Sequence, residues 1–90
     1  MRYRKERLEE LLKERLGDAI LKDFLHDKGI ITILSVQLDG KNENARIHIA
    51  VFPDEIKKEI LGALNHKAGS FAHQLLKEIR IAKIPHLEFV

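Results

Sequence analysis

The run Leu64-Asn65-His66-Lys67-Ala68-Gly69-Ser70-Phe71, continued by Arg80-Ile81-Ala82-Lys83-Ile84-Pro85-His86-Leu87-Glu88-Phe89-Val90, decides the fold of this chain. A helical apolar pattern enters the glycine and restarts beyond it. Upstream, Ile56, Ile60, Ala63 and Leu64 share one helical face. Downstream, Phe71, Leu75, Leu76 and Ile79 form the next apolar stripe, with Lys77, Arg80 and Lys83 largely off it. Gly69 interrupts the pattern and Ser70 is placed to cap the restart. The spacing predicts two helices joined by a kink near residues 67–69. A glycine there lets two backbones, or a backbone and a phosphate, approach closely. Pro85 blocks continuation of the second helix. Residues 86–90 alternate as a short strand with Leu87 and Phe89 inward.

The rest of the chain supplies the layers this core needs. Leu8, Leu11, Leu12, Leu16, Ala19, Ile20 and Phe24 recur at three- and four-residue steps. They predict an amphipathic helix over about residues 4–25. Gly17 sits inside it, at a cost of roughly 1 kcal/mol relative to alanine, and marks a bend or a close contact. Lys28-Gly29 ends that helix. Residues 30–38, rich in β-branched side chains, read as a strand. A turn cluster headed by Asp39-Gly40 follows. Residues 45–52 form the second strand, with Ala45, Ile47, Ile49 and Val51 inward and Arg46 and His48 outward. Pro53-Asp54-Glu55 opens the next helix, where proline and acidic residues suit a first turn. The order α–β–β–α–kink–α–β predicts an α+β domain, with helices on one face of a three-stranded sheet. Its last strand pairs in parallel after a right-handed two-helix crossover.

Composition narrows the function classes. Ninety residues make one small domain, taken as residues 1–90. Folding at this size hides about two thirds of the chain's surface, enough for a modest core but not for a sheltered catalytic cavity. There is no cysteine, so neither a disulfide framework nor a thiolate metal site is available. This suits a reducing cytoplasm. No apolar run approaches the roughly 20 residues of a membrane span, and the basic N-terminus lacks the apolar stretch of a signal peptide. Net charge is +2, but it is polarised. Residues 1–7 carry four basic side chains against one acidic, residues 8–55 six against ten, and residues 56–90 six against three. Such a separation suits a polyanion on one side, and suits equally a mixed solvated surface.

The pieces together resemble the ribosome-binding factor A family, whose fold is a type II KH-like domain. Ile31-Thr32-Ile33-Leu34-Ser35-Val36 resembles the family's T-V-x-x-V strand, and Ala45-Arg46-Ile47-His48-Ile49 its A-x-V-x-V strand. Gly69 falls at the kink glycine, and Leu75 to Phe89, with Arg80 before Pro85, resembles the closing L-R-x-x-x-P-x-L-x-F. Lys67 stands where the family's kink has alanine. The resemblance implies a non-enzymatic, monomeric cytoplasmic factor that binds the immature small ribosomal subunit and assists late maturation of its 16S RNA. No DNA or membrane partner and no cofactor is implied. A generic KH-like RNA binder, or a protein-interaction module joined through a sheet edge, are the other readings.

Many KH domains clamp a nucleic-acid backbone with a Gly-x-x-Gly loop. Only Gly69 is present here, so the resemblance implies docking on folded RNA through the kink and the basic helices. Phosphate contacts by lysine and arginine then carry most of the affinity. The candidates are Lys57, Lys58, Lys67, Lys77, Arg80 and Lys83, with Arg2, Arg4 and Lys5 at the N-terminus and Gly69 at the kink. His73 could stack on RNA or donate to it; a surface histidine is the simpler reading. Tyr3, among basic neighbours, is the one aromatic kept open for stacking. No nucleophile–base pair, paired-carboxylate setting or metal spacing is present among the five histidines and the acidic residues.

Overall fold

A computed structural model of the chain describes residues 4–23, 29–79, 81 and 83–90. The elements are α1 (Lys5–Asp23), β1 (Ile30–Leu38), β2 (Asn44–Phe52), a 3-10 turn (Asp54–Ile56), α2 (Lys57–His66), α3 (Ala68–Glu78) and β3 (His86–Phe89). The sheet order is β1-β2-β3, with β1 antiparallel and β3 parallel to β2. The parallel ladder runs past β3, because Val90 donates to the Ile47 carbonyl at 2.9 Å and accepts from Ile49 at 3.0 Å. This is the expected α+β architecture.

Alternation decides which sheet face is covered. Ala45, Ile47, Ile49 and Val51 of β2 are buried, as are Leu87 and Phe89 of β3. Across them lie Leu8, Leu12, Leu16, Ala19 and Ile20 of α1, Ile60 and Leu64 of α2, and Phe71 and Leu75 of α3. All helices therefore pack on one face, and the other face is open. On it, Arg46 pairs with Glu88 at 3.7 Å and His48 meets Gln37 at 3.0 Å. Burial of the core side chains is the main stabilising term, about 1.5–3 kcal/mol for each large apolar side chain.

Five expectations need correction. Gly17 makes no close contact, for α1 runs unbroken through it and a Cβ there would meet no atom within 4 Å. Pro53 precedes a 3-10 turn in extended conformation after a cis Phe52–Pro53 bond, so it is not inside the first helical turn. Ser70 caps nothing; it lies within α3, whose N-cap position is Lys67. Leu76 points outward at 46% exposure. Finally, α3 stops at Glu78, well short of Pro85. Ile79 turns extended there (φ −109°, ψ 128°) and buries its side chain in the core. Its N–H makes the last helical bond, to Leu75 O at 2.8 Å. Core burial of Ile79 ends the helix before proline can. The predicted end of α1 near residue 25, and Phe24 with it, lie outside the described residues.

Candidate nucleic-acid interface

The bend between α2 and α3 is built by Lys67 and held by Asn65. Lys67 adopts φ −93°, ψ 3°, and its N–H points at the carbonyls of Ala63 and Leu64 at 3.2 and 3.1 Å. Asn65 fastens the end of α2 to β3 from both sides. Its Nδ2 donates to Phe89 O at 3.0 Å, and its Oδ1 accepts from Phe89 N at 2.8 Å. Beneath the bend, Phe71 meets Phe89 edge-to-face with ring centroids 6.0 Å apart. The kink is thus where the pattern predicts it, but Gly69 is not what makes it. Gly69 has no left-handed φ, sits in the first turn of α3, and a Cβ built on it meets nothing within 4 Å. Its missing side chain leaves the outer surface of the bend bare.

That outer surface has a distinct composition. His66, Gly69, Ser70, His73, Leu76 and Lys77 are exposed, at three- and four-residue steps along one side. No acidic residue occurs between Glu59 and Glu78. Glu78 itself is drawn toward α1, where Arg15 Nη1 lies 4.0 Å from its carboxylate. Lys67, Lys77 and two histidines thus lie on a stretch, residues 60–77, that contributes no carboxylate of its own. His66 and Ser70 on this stripe are not among the site residues the sequence predicts, and the sequence offers His73 only as a secondary RNA contact; their spacing with Lys77 is the signal that could have found them.

The structure does not bring the predicted cations to one place. Lys67, Gly69 and Lys77 share the bend and the α3 stripe. Lys57, half-buried, and Lys58, exposed, stand at the other end of α2, about 14 Å along its axis. Lys83 is not helical; it lies before β3, with its Nζ 3.9 Å from Glu43 in the β1–β2 turn. Arg4 and Lys5 are exposed where α1 begins, at the same end of the molecule, because Glu9 one turn later bonds the main chain of Leu38. Arg2, Tyr3 and Arg80 lie outside the described residues.

Two helices meeting at a bend, packed across a mixed sheet and presenting an acid-free outer surface, define a type II KH-like domain. The chain belongs to the ribosome-binding factor A family, whose sequence model matches residues 4–90. It is 37% identical over 88 residues to ribosome-binding factor A of Chlamydia pneumoniae, covering 93% of this chain and 73% of that one. The crystal structure of ribosome-binding factor A from Thermus thermophilus superposes with a TM-score of 0.85 at 25% identity, over 97% of this chain and 93% of that one. A homology model of the Thermus thermophilus factor, fitted into the cryo-EM map of a 30S–RbfA complex, aligns at 0.78 and 25% identity, over 92% and 89% of the two chains. Among the described residues, no helix is long and apolar enough to cross a membrane.

Proposed function

We propose that this chain, as one monomeric domain, binds the immature small ribosomal subunit in the cytoplasm and assists late maturation of its 16S RNA without catalysing a reaction. The acid-free outer surface of the α2–α3 bend carries this reading, together with the family membership. Lys67 and Lys77 contact phosphates, Gly69 lets the RNA backbone approach α3, and Arg80 supplies a further cation for phosphate. Arg4, Lys5 and Lys83 add a second group of phosphate contacts at the turn end of the sheet, where Lys83 exchanges Glu43 for RNA, and Arg2 supplies a further cation. Lys57 and Lys58 extend the footprint beyond the start of α2. An exposed pair such as Lys83–Glu43 is weak, so phosphate displaces it readily.

The test is co-sedimentation with precursor and mature small subunits. The expected result is preferential association with the precursor, weakened in the Lys77→Glu/Arg80→Glu variant while its circular dichroism stays native. Equal association with both forms would remove the maturation role and leave a general RNA binder. Unchanged association of the charge-reversed variant would remove the bend as the contact surface. The purified chain is expected neither to cleave ribosomal RNA nor to hydrolyse nucleoside triphosphates.

A further inference from the structure

On the far side of the molecule, β1 forms one edge of the sheet: it pairs with β2 and with no other described strand. Its two halves are treated differently. At the turn end, Glu9 reaches from α1 and its Oε2 accepts the Leu38 N–H at 2.8 Å, so that edge position is occupied. At Leu34 the register shifts by one residue, a bulge between the pairs Ile33↔Ile49 and Ser35↔His48. Beyond the bulge the edge strand is mostly apolar, with exposed Thr32 the one polar residue between Ile30 and Leu34. Ile30 and Leu34 are 66% and 56% exposed, and Ile31 and Ile33 are only partly buried. Soluble proteins guard such edges with charge, proline or a covering element, because unpaired main-chain groups beside apolar side chains recruit another strand.

The unguarded half coincides with a groove of about 590 Å³ between α1 and β1. Its floor is Ile20, Ile31 and Ile33, and Gly17 lines it without a side chain. Its wall carries Glu10, Glu14 and Asp18, with Lys13 the one cation lining it. None of these three carboxylates has an ion-pair partner among the described residues. They follow one another at four-residue steps on one side of α1, about 6 Å apart. Alternate side chains of an extended strand are about 6.7 Å apart, so the two periods match.

We propose that the β1 edge from Ile30 to Leu34, with this groove, binds an extended protein segment rich in lysine or arginine, which adds to the sheet as a fourth strand. Its main chain pairs with the edge of β1 that no described strand occupies. Every second side chain is basic, laying its aliphatic stem over Ile20, Ile31 and Ile33 and its charge against Glu10, Glu14 and Asp18. The carboxylates select this occupant. They repel RNA phosphates, and a second copy of this chain would bring a second set of the same carboxylates rather than cations. This surface lies apart from the α2–α3 bend and does not depend on the RNA-binding reading.

Amide NMR spectra of the whole chain test the proposal, using a ten-residue peptide of alternating lysine and valine and its glutamate–valine counterpart. The lysine peptide is expected to shift the amides of Ile30 to Leu34 and Gly17 to Leu21 in a saturable way, and the glutamate peptide to leave them unmoved. Gly17→Leu fills the groove from a helix position with open space, so the fold persists. Glu14→Lys with Asp18→Lys reverses exposed charges only. Each is expected to weaken the lysine peptide at least about tenfold, with circular dichroism unchanged. Equal response to both peptides, shifts confined to other surfaces, or unweakened binding by both variants would overturn the proposal. So would concentration-dependent shifts of the same edge amides without peptide, which would make a second copy the occupant.

Discussion

Gly29 stands just before β1, where a Cβ would lie 2.6 Å from the carbonyl oxygen of Phe52 and 2.5 Å from Ile56 Cδ1. The isoleucine tip can move, but the carbonyl belongs to the end of β2 and cannot without disturbing the ladder. Gly29→Ala is therefore expected to cost about 1–3 kcal/mol, read as a lower denaturation midpoint at unchanged m-value. From sequence this glycine reads as a helix terminator; its approach to Phe52 depends on a contact 23 residues away, which no local pattern carries. Asp39 is a local case. Its Oδ2 accepts from the Asn44 amide at 2.9 Å and its Oδ1 from Glu43 N–H at 2.8 Å, and these bonds hold its carboxyl below the ordinary aspartate value. The charged form is favoured by the fold, so its contribution is present above the unfolded aspartate pKa and is lost as pH falls through the lower folded value. Asp39→Asn should lower the melting temperature at neutral pH and converge on the parent protein in acid. A constant gap at all pH values would deny the carboxylate that role. The Asp-Gly signal locates this turn correctly, yet the left-handed residue is Asn42 (φ 57°), whose short amide tolerates that conformation.

At the scale of elements, periodicity carries most of the information. The β2 alternation matches its burial residue by residue, and the α1 stripe from Leu8 to Ile20 lies in the core. What periodicity misses are features decided between elements. The extra residue at Leu34 appears only in the pairing of β1 with β2. The end of α3 at Glu78 follows from the core drawing in Ile79, not from Pro85. The pattern assigns the kink to Gly69, but its position is set by Asn65 clasping the Phe89 main chain. Asn65→Ala should remove both bonds and leave the Phe89 N–H and C=O without side-chain partners. A loss of about 1–3 kcal/mol is expected, with faster hydrogen exchange at Phe89 than elsewhere in the sheet. Unaltered exchange at Phe89 would show that β3 is held by β2 alone.

At the scale of the whole molecule, a net charge of +2 understates how the charges are sorted. The α2–α3 bend presents lysines and histidines without acid, while the β1 groove behind α1 presents Glu10, Glu14 and Asp18. Sequence blocks make the polarity readable, but not which cations share a surface, because that depends on how α2 and α3 fold back across β3. Two changes at the bend separate shape from charge. Gly69→Leu meets open space and exchanges a poor helix former for a good one, so it should stabilise the fold by about 0.5–1 kcal/mol. If RNA approaches the bare turn, the same change should weaken association with small subunits and leave the salt dependence intact, because no charge is altered. Lys77→Gln removes one exposed cation and no core contact. It should weaken association and lower the magnitude of the slope of log K against log salt by about 1. Affinity measured from about 50 to 200 mM salt distinguishes the two effects: parallel lines for Gly69→Leu, a shallower line for Lys77→Gln. A slope unchanged by Lys77→Gln would mean that this lysine makes no phosphate contact and that the interface is centred elsewhere on the basic surface.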